Sequence, residues 1–166
     1  MHPATLPINE LLKECRIQRT RGSGPGGQHR NKVETAITIE HQPTKILSQA
    51  SERRSQEQNR TVALHRLRVK LAVEFRTETC RDQQPSALWT QRIPGRVISV
   101  STKHADYPAL LAELLDAVCA HDGNVAAVAQ QRGTSTSQIT KFLKREPTAL
   151  PIVNLWRAQA DLSPLR

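Results

Sequence analysis

The sequence feature that most constrains this chain is a glycine-rich run, Gly22-Ser23-Gly24-Pro25-Gly26-Gly27. Glycine weakens both helices and strands, and proline removes a backbone donor, so neither element tolerates this run in its interior. The run therefore predicts a loop. Gln28 ends it, and the flanking side chains are basic: Arg19, Arg21, Arg30 and Lys32.

The residues of this loop limit the chemistry that it can support. Gly26 and Gly27 permit positive φ and let the backbone approach a bound group closely, while Gln28 offers a main-chain N–H and a neutral amide side chain. His29 is the residue here that titrates near neutral pH. A reaction at this loop would therefore depend on positioned water and on backbone donors that stabilise oxygen charge, rather than on a nucleophile or a general base.

The residues that flank the glycine run bear on three other interpretations of it. Gly22, Gly24 and Gly27 match the G-x-G-x-x-G pattern, but a dinucleotide-binding fold needs an apolar strand before the pattern and an apolar helix after it, and here both flanks are basic and polar. A Walker loop would end in Gly-Lys-Ser/Thr, which is absent. A surface loop without function stays open.

The segments around the loop predict an α+β unit. A short helix is expected within residues 6–12 and a strand within 15–21, before the loop. Two strands, 36–41 and 46–49, should follow it, joined by a turn at residues 42–45. A long helix should begin after Ser55, with Gln58 completing a capping box. We expect a small mixed or antiparallel sheet with this long helix and an exposed loop.

The second half of the chain predicts a separate helical unit. Residues 1–82 form the first predicted domain, residues 83–103 a linker with at most one short strand at 97–100, and residues 104–166 a helical domain. Helices are expected after Pro108, over 125–132 and over 137–145, followed by an apolar turn around residues 152–156.

The spacing of Ala129, Gly133 and Ile139 fits a helix-turn-helix, with a small residue, a turn glycine and an apolar anchor. Basic residues on the second helix could contact phosphates: Lys141, Lys144 and Arg145. The pattern leaves two interpretations open, a nucleic-acid-contacting helix pair and a purely structural helical cap.

Charge favours an anionic partner. The 166 residues carry 24 Lys and Arg against 15 Asp and Glu, a formal charge of +9, which suits nucleic acid or lipid headgroups. No apolar run approaches the roughly 20 residues that span a bilayer, and no secretory signal is visible, so a cytoplasmic protein is expected. The three cysteines lie far apart without metal-ligand spacing and are expected to be reduced and partly buried; we predict no metal and no cofactor.

Residues 21–32, Arg-Gly-Ser-Gly-Pro-Gly-Gly-Gln-His-Arg-Asn-Lys, resemble the Gly-Gly-Gln signature of bacterial class I peptide-chain release factors and of the related codon-independent ribosome-rescue hydrolases. The resemblance continues through His41-Gln42-Pro43-Thr44 and through Arg54-Ser55-Gln56-Glu57-Gln58-Asn59-Arg60. It covers roughly residues 14–76. Lys45 stands where such hairpins often have glycine, and Arg30 where an apolar residue is common.

The resemblance implies hydrolysis of the ester between a nascent peptide and the P-site tRNA, within the peptidyl-transferase centre of the ribosome. Gly26, Gly27 and Gln28 would be the catalytic residues. Seven side chains would contact 23S-type ribosomal RNA or the tRNA: Arg21, His29, Arg30, Lys32, Arg54, Gln56 and Arg60. The partners implied are the ribosome and peptidyl-tRNA, with the protein acting as a monomer.

The resemblance also implies how the reaction would be triggered. Release factors that read stop codons carry a large decoding region ahead of the glycine loop, whereas about 20 residues precede it here. Codon-independent action, as in ribosome rescue, is therefore expected, although the basic tail of rescue members has no counterpart in the C-terminal residues. The alternative function is a non-catalytic nucleic-acid-binding protein that uses the helix-turn-helix.

Overall fold

The computed structural model describes residues 1–20 and 35–166, and the chain forms two compact units that divide after Phe75. The first unit combines an antiparallel sheet with helices, and the described part of the second contains helices and no strand. The predicted α+β class is therefore confirmed. No helix in the described ranges is long and apolar enough to cross a membrane.

The first unit follows the predicted order of elements. After a 3₁₀ turn, Pro3–Thr5, it consists of α1 (Ile8–Lys13), β1 (Cys15–Thr20), β2 (Ala36–His41), β3 (Leu47–Ala50) and α2 (Gln56–Glu74). The strands lie in the order β1-β2-β3, each antiparallel to the next. The expected boundaries differ from those observed by one or two residues.

The sheet buries one face against α2. Ile37 and Ile39 of β2 are buried, and their register partners on β3, Ala50 and Ser48, are buried on the same face. The Ser48 hydroxyl donates to the Ala63 carbonyl of α2 at 2.7 Å. This hydrogen bond satisfies the polar Ser48 side chain within the buried helix–sheet interface.

The β2–β3 turn is held by a buried histidine. The ring of His41 lies within hydrogen-bond distance of Thr44 Oγ1 (2.8 Å) and of Glu14 Oε2 (3.0 Å). The Lys45 N–H donates to the His41 carbonyl at 2.8 Å, and Lys45 has φ of 61°. Positive φ is the conformation that glycine adopts without strain, which explains why glycine suits this position.

Helix α2 begins as the capping pattern predicts. The Ser55 side chain accepts a hydrogen bond from the Gln58 N–H. The apolar stripe, Ala63, Leu64, Leu67 and Leu71, is buried. On the same helix the buried Arg68 guanidinium donates twice to the Ala4 carbonyl, at 3.2 and 2.9 Å, which ties the N-terminal turn to α2.

The second unit contains α3 (Ala87–Arg92), α4 (Tyr107–Ala120), α5 (Val125–Gln131), α6 (Thr136–Leu143) and α7 (Ala149–Gln159), with a 3₁₀ turn at Pro94–Arg96. Helix α4 is its centre, because nearly all of its side chains are buried. Gly133 has φ of 65° between α5 and α6, and the Thr134 N–H donates to the Ala129 carbonyl at 2.9 Å. Two helices joined by a turn at Gly133 are therefore present, as predicted.

Three expectations for the second half differ from the structure. The predicted linker contains α3, whose Trp89 is 1% exposed and donates from Nε1 to the Arg132 carbonyl at 3.1 Å. Residues 97–100 do not form a strand, because the described part of this unit contains no other strand with which they could pair. Ile98 and Val100 are nevertheless buried. The apolar turn near residue 152 belongs to α7. The division of the chain into functional domains that end at residue 82 and begin at residue 104 stays a prediction.

The three cysteines are free thiols, as expected, but their burial is uneven. Cys15 and Cys119 are half-buried, whereas Cys80 is exposed. Burial, with a smaller effect of the Glu14 charge, raises the pKa of Cys15 to about 11.

A buried ion pair ties the start of the second unit to α4. Arg76 Nη1 lies 3.0 Å from Asp116 Oδ1, and the Asp116 side chain is 5% exposed. Asp116 also accepts from the Thr77 hydroxyl. Burial lowers the pKa of Arg76, and the Asp116 charge acts in the opposite direction.

We predict that Asp116→Asn lowers the free energy of unfolding of this unit by about 3 kcal/mol, because it leaves the buried Arg76 charge without its counter-charge. Both tryptophans, Trp89 and Trp156, lie in this unit, so fluorescence during denaturant unfolding measures the effect. Asp122→Asn is the matched control. Asp122 pairs with Arg81 at the surface, and its loss should cost less than about 1 kcal/mol; equal effects of the two variants would refute the prediction.

Candidate functional site

The predicted catalytic segment connects two paired strands. Gly26, Gly27 and Gln28 lie outside the described residues, as do four predicted RNA-binding residues: Arg21, His29, Arg30 and Lys32. Thr20 and Ala36 are register partners at the ends of β1 and β2. Opposed residues of an antiparallel pair have Cα atoms roughly 5 Å apart. The catalytic segment therefore leaves the sheet and returns to it at the same edge of the β1–β2 pair.

Asn59 of α2 fixes the second of these ends. The side chain of Asn59 is fully buried, and its Nδ2 donates to the Thr35 carbonyl at 2.6 Å and to the Arg53 carbonyl at 2.9 Å. Its Oδ1 accepts from the Arg53 N–H at 2.9 Å. One amide thus joins the end of the catalytic segment to the residues that precede α2, among them Arg54.

The other predicted RNA-binding residues lie around the first turns of α2. Arg54 is exposed immediately before the Ser55 cap. Gln56 and Arg60 are half-buried and four positions apart, so they share one face of the helix. The structure therefore brings Gln56 and Arg60 together and places Arg54 on the adjoining surface.

A groove of about 530 Å³ lies beside Gln56 and Arg60, and we call it the β1–α2 groove; its lining residues are Ile17, Arg19, Ile37, Gln56, Glu57 and Arg60. Helix α2 packs against β2 and β3. Ile17 and Arg19 pair with Ile39 and Ile37, so they lie on the sheet face that α2 covers elsewhere. Ile17 nevertheless remains 37% exposed, because the helix does not cover β1.

The β1–α2 groove combines an apolar floor with positive charge. Arg19 and Arg60 are its cations, and Glu57 lies 3.9 Å from Arg60 in a pair that is largely exposed. Such an exposed ion pair contributes little to stability, so Arg60 remains available to a phosphate. Gln56 adds amide donors and an acceptor. This chemistry suits a nucleic-acid backbone with its sugars, whereas no group of His, Cys, Asp and Glu within the described ranges could hold a metal ion.

Sequence reasoning overlooked two residues of this site. Arg19 was noted only as a flank of the loop, and it lines the β1–α2 groove. Asn59 was noted only within the motif, and its role depends on burial. A signal was available for Asn59, since it stands four and eight positions before the buried Ala63 and Leu67. An amide on an apolar stripe must find buried partners.

We predict that Asn59→Ala lowers the free energy of unfolding of the first unit by about 2–4 kcal/mol, because it removes the hydrogen-bond partner of the buried Thr35 carbonyl and of the Arg53 main chain. Both tryptophans lie in the second unit, so hydrogen exchange of the β2 amides is the appropriate measurement. Gln42→Ala, which changes an exposed amide of the β2–β3 turn in the same unit, should stay within about 0.5 kcal/mol. Unchanged exchange in the Asn59 variant would contradict the assigned role.

Comparison with known proteins agrees with this arrangement. Residues 5–104 match the family model of the RF-1 domain. A mitochondrial peptide chain release factor 1-like protein of Rattus norvegicus is 38% identical over 92 residues, which is 55% of this chain and 22% of the rat protein. Peptide chain release factor 2 of Paramagnetospirillum magneticum is 38% identical over 99 residues, 56% of this chain and 26% of that protein.

A shorter match has a higher identity. Peptide chain release factor 2 of Shewanella woodyi is 48% identical over 67 residues, 40% of this chain and 18% of that protein. The chain thus spans about a fifth to a quarter of the length of these relatives. The family model, in contrast, covers more than half of the chain. The chain belongs to the RF-1 domain family and, through it, to the class I peptide-chain release factors.

Proposed function

We propose that this protein hydrolyses the ester bond of peptidyl-tRNA in the peptidyl-transferase centre of the ribosome, without reading a stop codon, and so releases peptides from stalled ribosomes. The observation that carries the proposal is the Gly26-Gly27-Gln28 sequence, held between β1 and β2 of an RF-1 domain with cations around its base. Binding sites for ribosomal RNA and for the P-site tRNA follow from the same proposal. The reaction takes place in the cytoplasm and requires one copy of the protein.

In this proposal the chain supplies a donor and water placement, and the ribosome supplies most of the reaction chamber. The Gln28 main-chain N–H stabilises the charge that develops on oxygen as the ester breaks, and the Gln28 side chain helps to admit the attacking water. Water adds to the ester carbonyl, the bond to the ribose oxygen breaks, and the products are a free peptide acid and a tRNA with its terminal hydroxyl restored. Gly26 and Gly27 let the backbone come close enough for this contact.

The described residues contribute positioning. Asn59 holds Thr35, so the segment that carries Gln28 leaves the sheet from a fixed point. Arg54, Gln56 and Arg60 bind ribosomal RNA or tRNA beside that point, together with Arg21, His29, Arg30 and Lys32 of the catalytic segment. Phosphate contacts of this kind orient a protein on RNA without reading sequence.

We predict that the protein releases labelled peptide from stalled ribosomes and that two changes at Gln28 separate its two contributions. Gln28→Pro removes the main-chain N–H and should slow release by about 100- to 1000-fold. Gln28→Ala keeps that N–H and loses the side chain, so it should be impaired less than the proline variant. The measurement is single-turnover peptide release from purified complexes.

A variant outside the catalytic segment serves as the control. Gln42→Ala changes an exposed residue of the β2–β3 turn and should release peptide at the rate of the unmodified protein. Absence of release by the unmodified protein, or full release by both Gln28 variants, would refute the proposed activity.

We further predict that release does not depend on the codon in the A site. Complexes with a stop codon, a sense codon or no codon in the A site should release peptide at rates within about threefold of each other, a difference of less than about 1 kcal/mol in barrier height. Isolated large subunits carrying peptidyl-tRNA, tested in parallel, separate action on whole ribosomes from action on split ones. Release confined to stop codons would refute codon-independent rescue and leave the hydrolysis itself intact.

A further inference from the structure

Helix α6 has a basic face that the release chemistry does not use. Ile139, Phe142 and Leu143 bury one side of the helix. Ser137, Lys141 and Lys144 follow each other at steps of four and three residues on the opposite side, and all three are exposed. Neither lysine has an ion-pair partner among the described residues.

A segment, residues 96–103, runs alongside this helix, from the end of the 3₁₀ turn at Arg96 to a further turn at residues 102 and 103. The Thr134 hydroxyl donates to the Arg96 carbonyl at 2.8 Å, Gln138 Oε1 accepts from the Ile98 N–H at 3.3 Å, and Arg145 Nη1 donates to the Val100 carbonyl at 2.6 Å. Gln138 and Arg145 are seven positions apart, so they hold the segment on one side of α6, next to Lys141. Arg96 and Lys103, both exposed, lie at the two ends of the segment.

We call the exposed side of α6 together with residues 96–103 the α6 basic face. Its two stretches of sequence, 96–103 and 136–145, contain five cations and no acidic residue. Elsewhere in this unit the arginines at 76, 81, 92 and 132 are each paired with an aspartate or a glutamate. The α6 basic face therefore concentrates positive charge that no carboxylate within its own two stretches offsets, and an anionic polymer would be attracted there.

The polar groups on this face favour phosphates over base edges. Arg, Asn and Gln side chains are common readers of base edges because each can make two hydrogen bonds to one base. The Gln138 and Arg145 side chains are already bonded to the main chain of the segment. Apart from the Arg96 guanidinium at one end of the face, the exposed groups are lysine ammonium and serine or threonine hydroxyl groups, which contact backbone phosphates and sugars. A hollow of about 660 Å³ lined by Ser99, Val100, Ser101, Thr102 and Arg145 adjoins them.

We propose that the α6 basic face binds the phosphate backbone of double-helical RNA without sequence preference. The choice of RNA over DNA rests on the proposed action at the ribosome, where the face would hold the protein on folded ribosomal RNA while the first unit engages the peptidyl-tRNA. Binding uses Lys141 and Lys144 as phosphate contacts, with Arg96 and Lys103 extending the track.

The test uses the full-length protein and an RNA duplex of about 20 base pairs. We expect the Lys141→Gln/Lys144→Gln variant to bind at least about tenfold more weakly in 0.1 M salt, and its plot of log affinity against log salt to be shallower by about two. Lys13→Gln/Lys45→Gln removes two exposed lysines of the first unit and is the charge-matched control. It should retain its affinity for the duplex. Tryptophan fluorescence unfolding verifies that the α6 variant is folded.

Two results would overturn the proposal: an α6 variant with unchanged affinity and salt slope, or binding to a DNA duplex that is tighter than to RNA and depends on its sequence. The second would assign the face to DNA. Gln28→Ala should bind the RNA duplex as the unmodified protein does. Failure of peptide release with intact duplex binding, or the reverse, therefore separates the proposed reaction from the proposed binding face.

Discussion

The side-chain amide of Asn59 is the interaction on which the candidate site depends. It is fully buried and makes three hydrogen bonds, with the main chain of Thr35 on one side and of Arg53 on the other. Without this amide the buried Thr35 carbonyl would lose its hydrogen bond, which is costly. One residue therefore couples the exit of the catalytic segment, the start of α2 and the cationic surface that precedes it.

Charge is arranged differently in the two units. In the first unit, cations border the β1–α2 groove at the base of the catalytic segment. In the second unit, four of the eight arginines are used in ion pairs, and five cations lie on the α6 basic face. The chain, with a net charge of +9, thus has two surfaces whose cations suit phosphates. This division agrees with an RNA-bound protein whose reacting group is a main-chain donor, since positioning then supplies much of the catalysis.

Much of this organisation is visible in the sequence. Strand alternation at 36–41, the Ser55 cap and the stripe from Ala63 to Leu71 depend on local patterns, and the structure confirms them. Helix α3 was missed because six residues after a Pro-containing, polar stretch carry too little periodicity, and its stability comes from burying Trp89. The role of Arg19 was missed because the β1–α2 groove arises from the helix leaving β1 uncovered. The Asn59 contacts join residues far apart in sequence, which no local pattern reports.

The most direct test of the account is a structure of the protein bound to a stalled ribosome that carries a P-site tRNA. The account predicts that the Gln28 N–H lies within hydrogen-bond distance of the ester or terminal ribose of that tRNA, with the β1–α2 groove against RNA. A complex in which the first unit binds away from the peptidyl-transferase centre, or in which Gln28 points away from the acceptor end, would contradict it.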